Sequence, residues 1–142
     1  MSMQNTSSDI QKLLNEINIK GQLTGTLFSV TAEKVANAIA SDVNSKNKSN
    51  KDLNKSTQIR RFYDELLMWQ EKVGDNQETF KNVEPFIQMM VAKTAYAYGR
   101  SYVGKNFLDL MKRLISQIDS PKTLNYAKLF FEAVLGFKKS LE

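Results

Sequence analysis

Three features of this chain predict an all-α fold, a compact bundle of about five to six helices. Proline and glycine are scarce, two and six in 142 residues. Apolar residues recur at three- and four-residue spacing, which is the period of a helix with one buried face. Glycine, proline and cap signals then divide the sequence at helix-length intervals. A chain of this length forms one domain with a real core and is short for two. The expected organisation is a helical extension over residues 1–50, a polar linker to about 55, and a helical core over 56–142.

The first helix is expected from Ser8 to Ile19, with Ile10, Leu13, Leu14 and Ile17 on one face, broken by Gly21 and Gly25. A second should run from Thr31 to about Asn44, with Val35, Ala38, Ile39 and Val43 facing inward. Asn44 to Lys55 is rich in Asn, Lys and Ser, so it reads as a mobile connector. Ser56 is the expected N-cap of a helix to about Val73, stopped by Gly74-Asp75-Asn76. Its buried face would carry Ile59, Phe62, Tyr63, Leu66 and Leu67. Pro85 suits the first turn of the next helix, where a missing N–H costs nothing. That helix carries Phe86, Ile87, Met90, Val91, Thr94, Ala97 and Tyr98 as its apolar stripe. Another helix follows over Ser101 to Ile118. Ser120-Pro121 opens the last, to about Leu141. This last helix is apolar on two faces, so it is either central in the bundle or buries one face on another subunit.

Composition narrows the chemistry. The chain has neither cysteine nor histidine. That removes disulfides, thiol nucleophiles, the commonest general base and the commonest metal ligands. An enzyme built from it would rely on carboxylates, lysine, tyrosine or hydroxyls. Yet Asp64 and Glu65 are adjacent and diverge on a helix, and the remaining acids are scattered. Gly99 to Gly104 neither follows a strand nor completes a phosphate-binding loop. Catalytic residues, cofactors and metal sites are therefore expected to be absent. No window approaches the roughly 20 apolar residues that cross a bilayer. Met1 to Asn18 lacks the apolar core of a secretory signal, so a cytoplasmic protein without membrane attachment is expected.

The net charge of +5 and pI near 9.4 favour an acidic partner such as nucleic acid. Six basic residues (Lys46, Lys48, Lys51, Lys55, Arg60 and Arg61) face one acid, Asp52, between positions 46 and 61. Arg60 and Arg61 fall in the first turns of a helix, where free N–H groups suit phosphate. A solvated linker followed by two surface arginines reads the same stretch, with Asp64 and Glu65 four residues on as intrahelical ion-pair partners. Lys93, Tyr96 and Arg100 share one helix face, which could grip a phosphate and stack a base or sugar, or simply be an exposed face. A helix-turn-helix DNA reader competes poorly, because no short helix pair with a tight glycine turn and a polar recognition helix is present.

The order of three motifs is more specific. Ser-Thr-Gln-Ile-Arg-Arg-Phe-Tyr (56–63), Ala-Tyr-Ala-Tyr-Gly-Arg (95–100) and Phe-Phe-Glu-Ala-Val-Leu-Gly-Phe-Lys (130–138) resemble the small helical subunit of type III-A CRISPR effector complexes, the Csm complexes. The resemblance spans Lys55 to Lys139, and residues 1–50 match poorly. It implies a non-catalytic helical bundle, several copies of which assemble beside the subunits that hold the guide RNA. The implied partners are the guide RNA and target RNA, contacted through their backbones, other Csm subunits, and further copies of the chain. Among the matched positions it favours Arg60, Arg61, Lys93 and Arg100 as RNA contacts; with Lys55 and Tyr96 these complete the expected RNA-binding set. The family often places an acid after the glycine–arginine pair, where this chain has Ser101, so a salt bridge there is in doubt. A purely structural subunit without RNA contact and the related type III-B small subunit are the alternatives.

Overall fold

The computed structural model describes residues 3–142, with side chains from Asp9 onward. Met1 and Ser2, the start of the expected extension, lie outside the described residues. The all-α expectation holds. The helices are α1 (Met3–Asn15), α2 (Ala32–Ala40), α3 (Ser56–Val73), α4 (Gln77–Gln88), α5 (Met90–Gly99), α6 (Lys105–Ser116) and α7 (Pro121–Ser140). A π-helical turn, Leu27–Thr31, leads into α2. Among the described residues, no helix is long and apolar enough to cross a membrane.

The last helix is central. It packs on α2, α3 and the π-helical turn, which explains its two apolar faces without a second subunit. Leu124, Ala127, Phe130, Phe131 and Val134 are buried, and Tyr126, Ala133, Leu135 and Phe137 pack half-buried around them. Ser120 caps α7 as expected: its Oγ accepts the Thr123 N–H at 3.1 Å and the Thr123 hydroxyl accepts the Ser120 N–H at 3.0 Å. A tilted Phe62–Phe107 contact and an edge-on Phe107–Phe131 contact tie α3 and α7 to α6. The core draws on both sides of the 44–55 connector, since Leu14, Ile17, Leu27 and Val35 are buried in the same cluster.

Several element boundaries differ from expectation, each for a local reason. The first helix ends at Asn15 and not Ile19. There the Arg113 Nε–H donates to the Leu14 and Ile17 carbonyls, each at 3.1 Å. Gln117 accepts the Ile19 N–H at 2.7 Å and donates to the Ile17 carbonyl at 2.6 Å. These side chains satisfy carbonyls that the helix end leaves free. Pro85 is not at a helix start; it lies inside α4. The start lies earlier because Asn76, part of the expected stop, is itself a cap whose Oδ1 accepts the Thr79 N–H at 2.9 Å. Ser56 does not cap α3, as its hydroxyl bonds the Glu142 carboxylate instead. Gly74 does end α3, with φ +56°.

One cluster fixes three boundaries at once. The second helix stops at Ala40, which turns Asp42 toward the start of α6. The Asp42 carboxylate accepts the N–H groups of Val43 (2.8 Å), Asn106 (2.8 Å) and Phe107 (3.1 Å) and the Asn54 amide (2.9 Å). Asp42 thus caps α6 from a distant part of the chain, and α6 begins at Lys105 and not Ser101. Burial pushes the Asp42 carboxyl up, opposed by these four donors. Gly104 sits against it, where a Cβ would overlap the carboxylate. Asn54, at φ +57°, donates to the Ile39 carbonyl at 3.1 Å and accepts the Gly104 N–H at 2.8 Å. Its own N–H donates to the Tyr102 carbonyl at 3.0 Å. The connector expected to be mobile is therefore fastened at its Asn54 end and looped at its start, where Asn44 Oδ1 accepts the Lys46 and Lys48 N–H groups.

Asn54→Ala removes three buried side-chain hydrogen bonds and puts a Cβ-bearing, uncapped residue at positive φ. The expected loss is about 2–3 kcal/mol in chemical denaturation. Asn54→Gly loses the same bonds without the backbone strain and should be more stable than Asn54→Ala by about 1 kcal/mol. Equal stability of the two would contradict the strained geometry.

Burial, reinforced by a 2.9 Å hydrogen bond to Glu132, pushes the Tyr63 phenol up to about 12. A raised folded value means that the stability this group confers is complete below about pH 10 and is lost as pH climbs toward 12. In an ultraviolet phenolate titration one of the five tyrosines should ionise late. Glu132→Gln should bring that step earlier, and a single unresolved step in the wild type would refute the assignment.

Candidate nucleic-acid interface

The six residues expected to bind RNA do not form one patch. Arg60 and Arg61 are adjacent on α3 and diverge. The Arg60 Nε pairs with Asp64 at 3.2 Å, and its guanidinium lies 5.3 Å from the Tyr63 ring centroid. It borders the end of α7, lining a cleft with Ser56, Leu135, Lys138 and Lys139. The expected pair between Arg61 and Glu65 is not formed, because Glu65 is used elsewhere.

Arg61, Glu65 and Trp69 follow one another at four-residue spacing along one side of α3. From that side, Glu65 reaches α5 and Trp69 reaches α4. Asn54, just before α3, bonds Tyr102, just after α5. Glu65 pairs with Lys93 at 3.1 Å and accepts the Trp69 indole N–H at 3.1 Å. The Trp69 and Phe86 rings stack with centroids 6.1 Å apart. Positions 54, 65 and 69 thus meet 102, 93 and 86, which lie after α5, within α5 and within α4. Arg61 lies one turn before Glu65 on this side of α3, toward the Asn54–Tyr102 bond.

The resulting ridge is cationic and aromatic at one end and apolar at the other. Tyr96 is 66% exposed. Arg100 is exposed, and its guanidinium lies 5.8 Å from the Tyr102 ring centroid. The phenols of Tyr102 and then Tyr96 push its pKa up. Among the described residues neither Arg61 nor Arg100 has an acidic partner within ion-pair distance. Lys93, expected to reach solvent freely, is instead half-committed to Glu65, an exposed pair of modest strength. Lys55 stands at the corner next to Asn54 and pairs with Asp52 at 3.4 Å. Toward the other end, Phe86, expected in the apolar stripe, is 55% exposed, and Met89 and Met68 are exposed as well. The Ser101 position, where an acid was in doubt, adopts φ +61° and bonds Tyr98 through its backbone, so the corner is shaped without a salt bridge.

Sequence reasoning missed Tyr102, Trp69 and Glu65 on this ridge and Lys138 and Lys139 beside Arg60. The two lysines stand at the end of the third motif and could have been found there. Tyr102 and Glu65 gave no separate signal, because their roles depend on which helices become neighbours.

The family model for Csm2 Type III-A matches residues 31–142. The match therefore extends upstream of the region that resembled the family by motif, taking in α2 and the connector. Among curated proteins and among solved structures, none matches. With the helical bundle and the motif order in agreement with a match over most of its length, the chain belongs to the Csm2 family and is a small subunit of a type III-A Csm complex.

Proposed function

We propose that this subunit lays its α3–α5 ridge along the sugar-phosphate backbone of target RNA paired with guide RNA, contributes no catalytic group, and stacks beside further copies in the complex. The observation that carries the reading is the exposed Lys93, Tyr96 and Arg100 face of α5, joined through the Glu65–Lys93 pair to the side of α3 that bears Arg61. Watson–Crick pairing occupies the base edges of a guide–target duplex. A subunit that accepts any target must therefore hold the backbone. Arginine suits this, since its fork of donors serves phosphate while a tyrosine ring packs against it.

A structural subunit that touches only proteins is the second reading. The apolar end of the ridge, with Phe86, Met89 and Met68 exposed, favours protein contact at that end. The two readings are compatible if the cationic end serves RNA and the apolar end serves neighbouring subunits.

One copy presents few phosphate contacts, so isolated affinity should be weak. If about four phosphates of a single strand are engaged, log K should fall with log salt at a slope of roughly −3. Combining Arg61→Ala with Arg100→Ala should weaken binding about tenfold at low salt, equally across sequences, and flatten the slope by about 1.4. Far-ultraviolet circular dichroism should be unchanged. Salt-independent binding, or a sequence-selective loss, would contradict backbone recognition.

A further inference from the structure

Away from the ridge, three polar side chains converge on one carboxylate and a fourth stands beside them. Ser56 and Arg60 come from the first turns of α3, and Lys138 and Lys139 from the last turn of α7; together with Leu135 they line a cleft of about 240 Å³. The Glu142 side chain bonds Ser56, Lys138 and Lys139 from an adjoining cleft that it lines with Lys138 and Leu141. Its carboxylate accepts the Ser56 hydroxyl and lies 3.6 Å from the Lys138 ammonium and 3.1 Å from that of Lys139. The Ser56 hydroxyl, then the Lys139 ammonium, hold the Glu142 carboxyl down to about 2, so it presents an anion to these donors across the physiological range.

The donors differ in a way that matters. The Lys138 side chain is only 11% exposed and Glu142 is its one ion-pair partner among the described residues, whereas Lys139 is 79% exposed. A largely buried ammonium needs an anion beside it. The occupant need not be Glu142, which is 39% exposed and reaches the cleft from beyond the end of α7. Hydroxyl, guanidinium and two ammonium groups form a donor set that also matches a phosphodiester. Arg60 keeps donors beyond the Nε that it shares with Asp64.

We propose that Ser56, Arg60, Lys138 and Lys139 form a second phosphate seat, held by the Glu142 carboxylate in the free subunit and taken over by an RNA phosphodiester on binding. This rests on the reading that the subunit binds RNA backbone, and adds to it a site on the α3–α7 side and an internal competitor. The Glu142 side chain excludes weak, adventitious anions, and the RNA phosphate must displace it. Loss of that competitor should raise affinity without adding any new contact.

The full chain is titrated with fluorescent single-stranded RNA at fixed low salt. Glu142→Gln should tighten binding about three- to tenfold. Glu78→Gln, an exposed acid in the first turn of α4, should leave it within twofold. Lys139→Ala, made in the Glu142→Gln background, should cancel most of the gain. Inorganic phosphate at millimolar concentration should reduce RNA binding to Glu142→Gln more than to the wild type if the seat accepts a free phosphate, and equally if it requires a phosphodiester within a strand. If Glu142→Gln and Glu78→Gln tighten binding alike, only net charge is at work and the seat is refuted. Glu142→Gln without effect, while the Arg61/Arg100 pair still weakens binding, refutes the seat and leaves RNA binding standing. If neither matters, the RNA-binding reading itself fails.

Discussion

The Asp42–Asn54–Gly104 cluster is the constraint on which the rest of the structure depends. A buried carboxylate must be surrounded by donors, and here the donors come from the start of α6, from the residue after Asp42 and from the connector. Satisfying that one group places the end of α2, the end of the connector and the α5–α6 corner within a single hydrogen-bonded network. The start of α3 is fixed two residues beyond Asn54, and Tyr102 is fixed by the Asn54 N–H. The distance between the first arginines of α3 and the aromatic, cationic end of α5 is therefore set by a carboxylate that neither helix carries.

From that corner, α3 meets first α5 and then α4 through contacts of changing chemistry. A backbone hydrogen bond holds one end, an ion pair the middle and stacked rings the other. The exposed ion pair contributes little stability. It does orient Lys93 and, by occupying Glu65, leaves Arg61 without a neighbour of opposite charge. A carboxylate four residues from an arginine normally competes with a polyanion for its donors; here the fold engages that carboxylate with Lys93 and Trp69. Arg60 shows the contrast, since its Asp64 partner remains in place.

The helical class, the inward faces of α2 and α3, the two apolar faces of α7 and the Ser120-Pro121 cap were legible because they depend on residues close in sequence. The errors arise where one residue serves two elements. Asn76 ends one helix approach and caps the next, which concealed the start of α4 and placed Pro85 inside a helix. Ser56 has the chemistry of a cap, but its hydroxyl is drawn to a carboxylate 86 positions away. Asn54 read as a linker residue and Asp42 as part of a helix, since nothing local reveals that they will meet Gly104. The candidate site was legible as a set of residues and not as a surface. Spacing placed Lys93, Tyr96 and Arg100 on one face, but only the Glu65–Lys93 contact on one side of α3 and the end of α7 on the other separate Arg61 from Arg60.

The central claim is that the cationic, aromatic end of the α3–α5 ridge lies against RNA backbone in the assembled type III-A complex. Ultraviolet crosslinking of that complex with target RNA bound, followed by peptide mass spectrometry, tests it most directly. The account predicts nucleotide adducts on the segment from Lys93 to Tyr102, concentrated at the exposed Tyr96 and at Tyr102. Adducts confined to other faces, with Tyr96 and Tyr102 unmodified while neighbouring subunits crosslink efficiently, would contradict it.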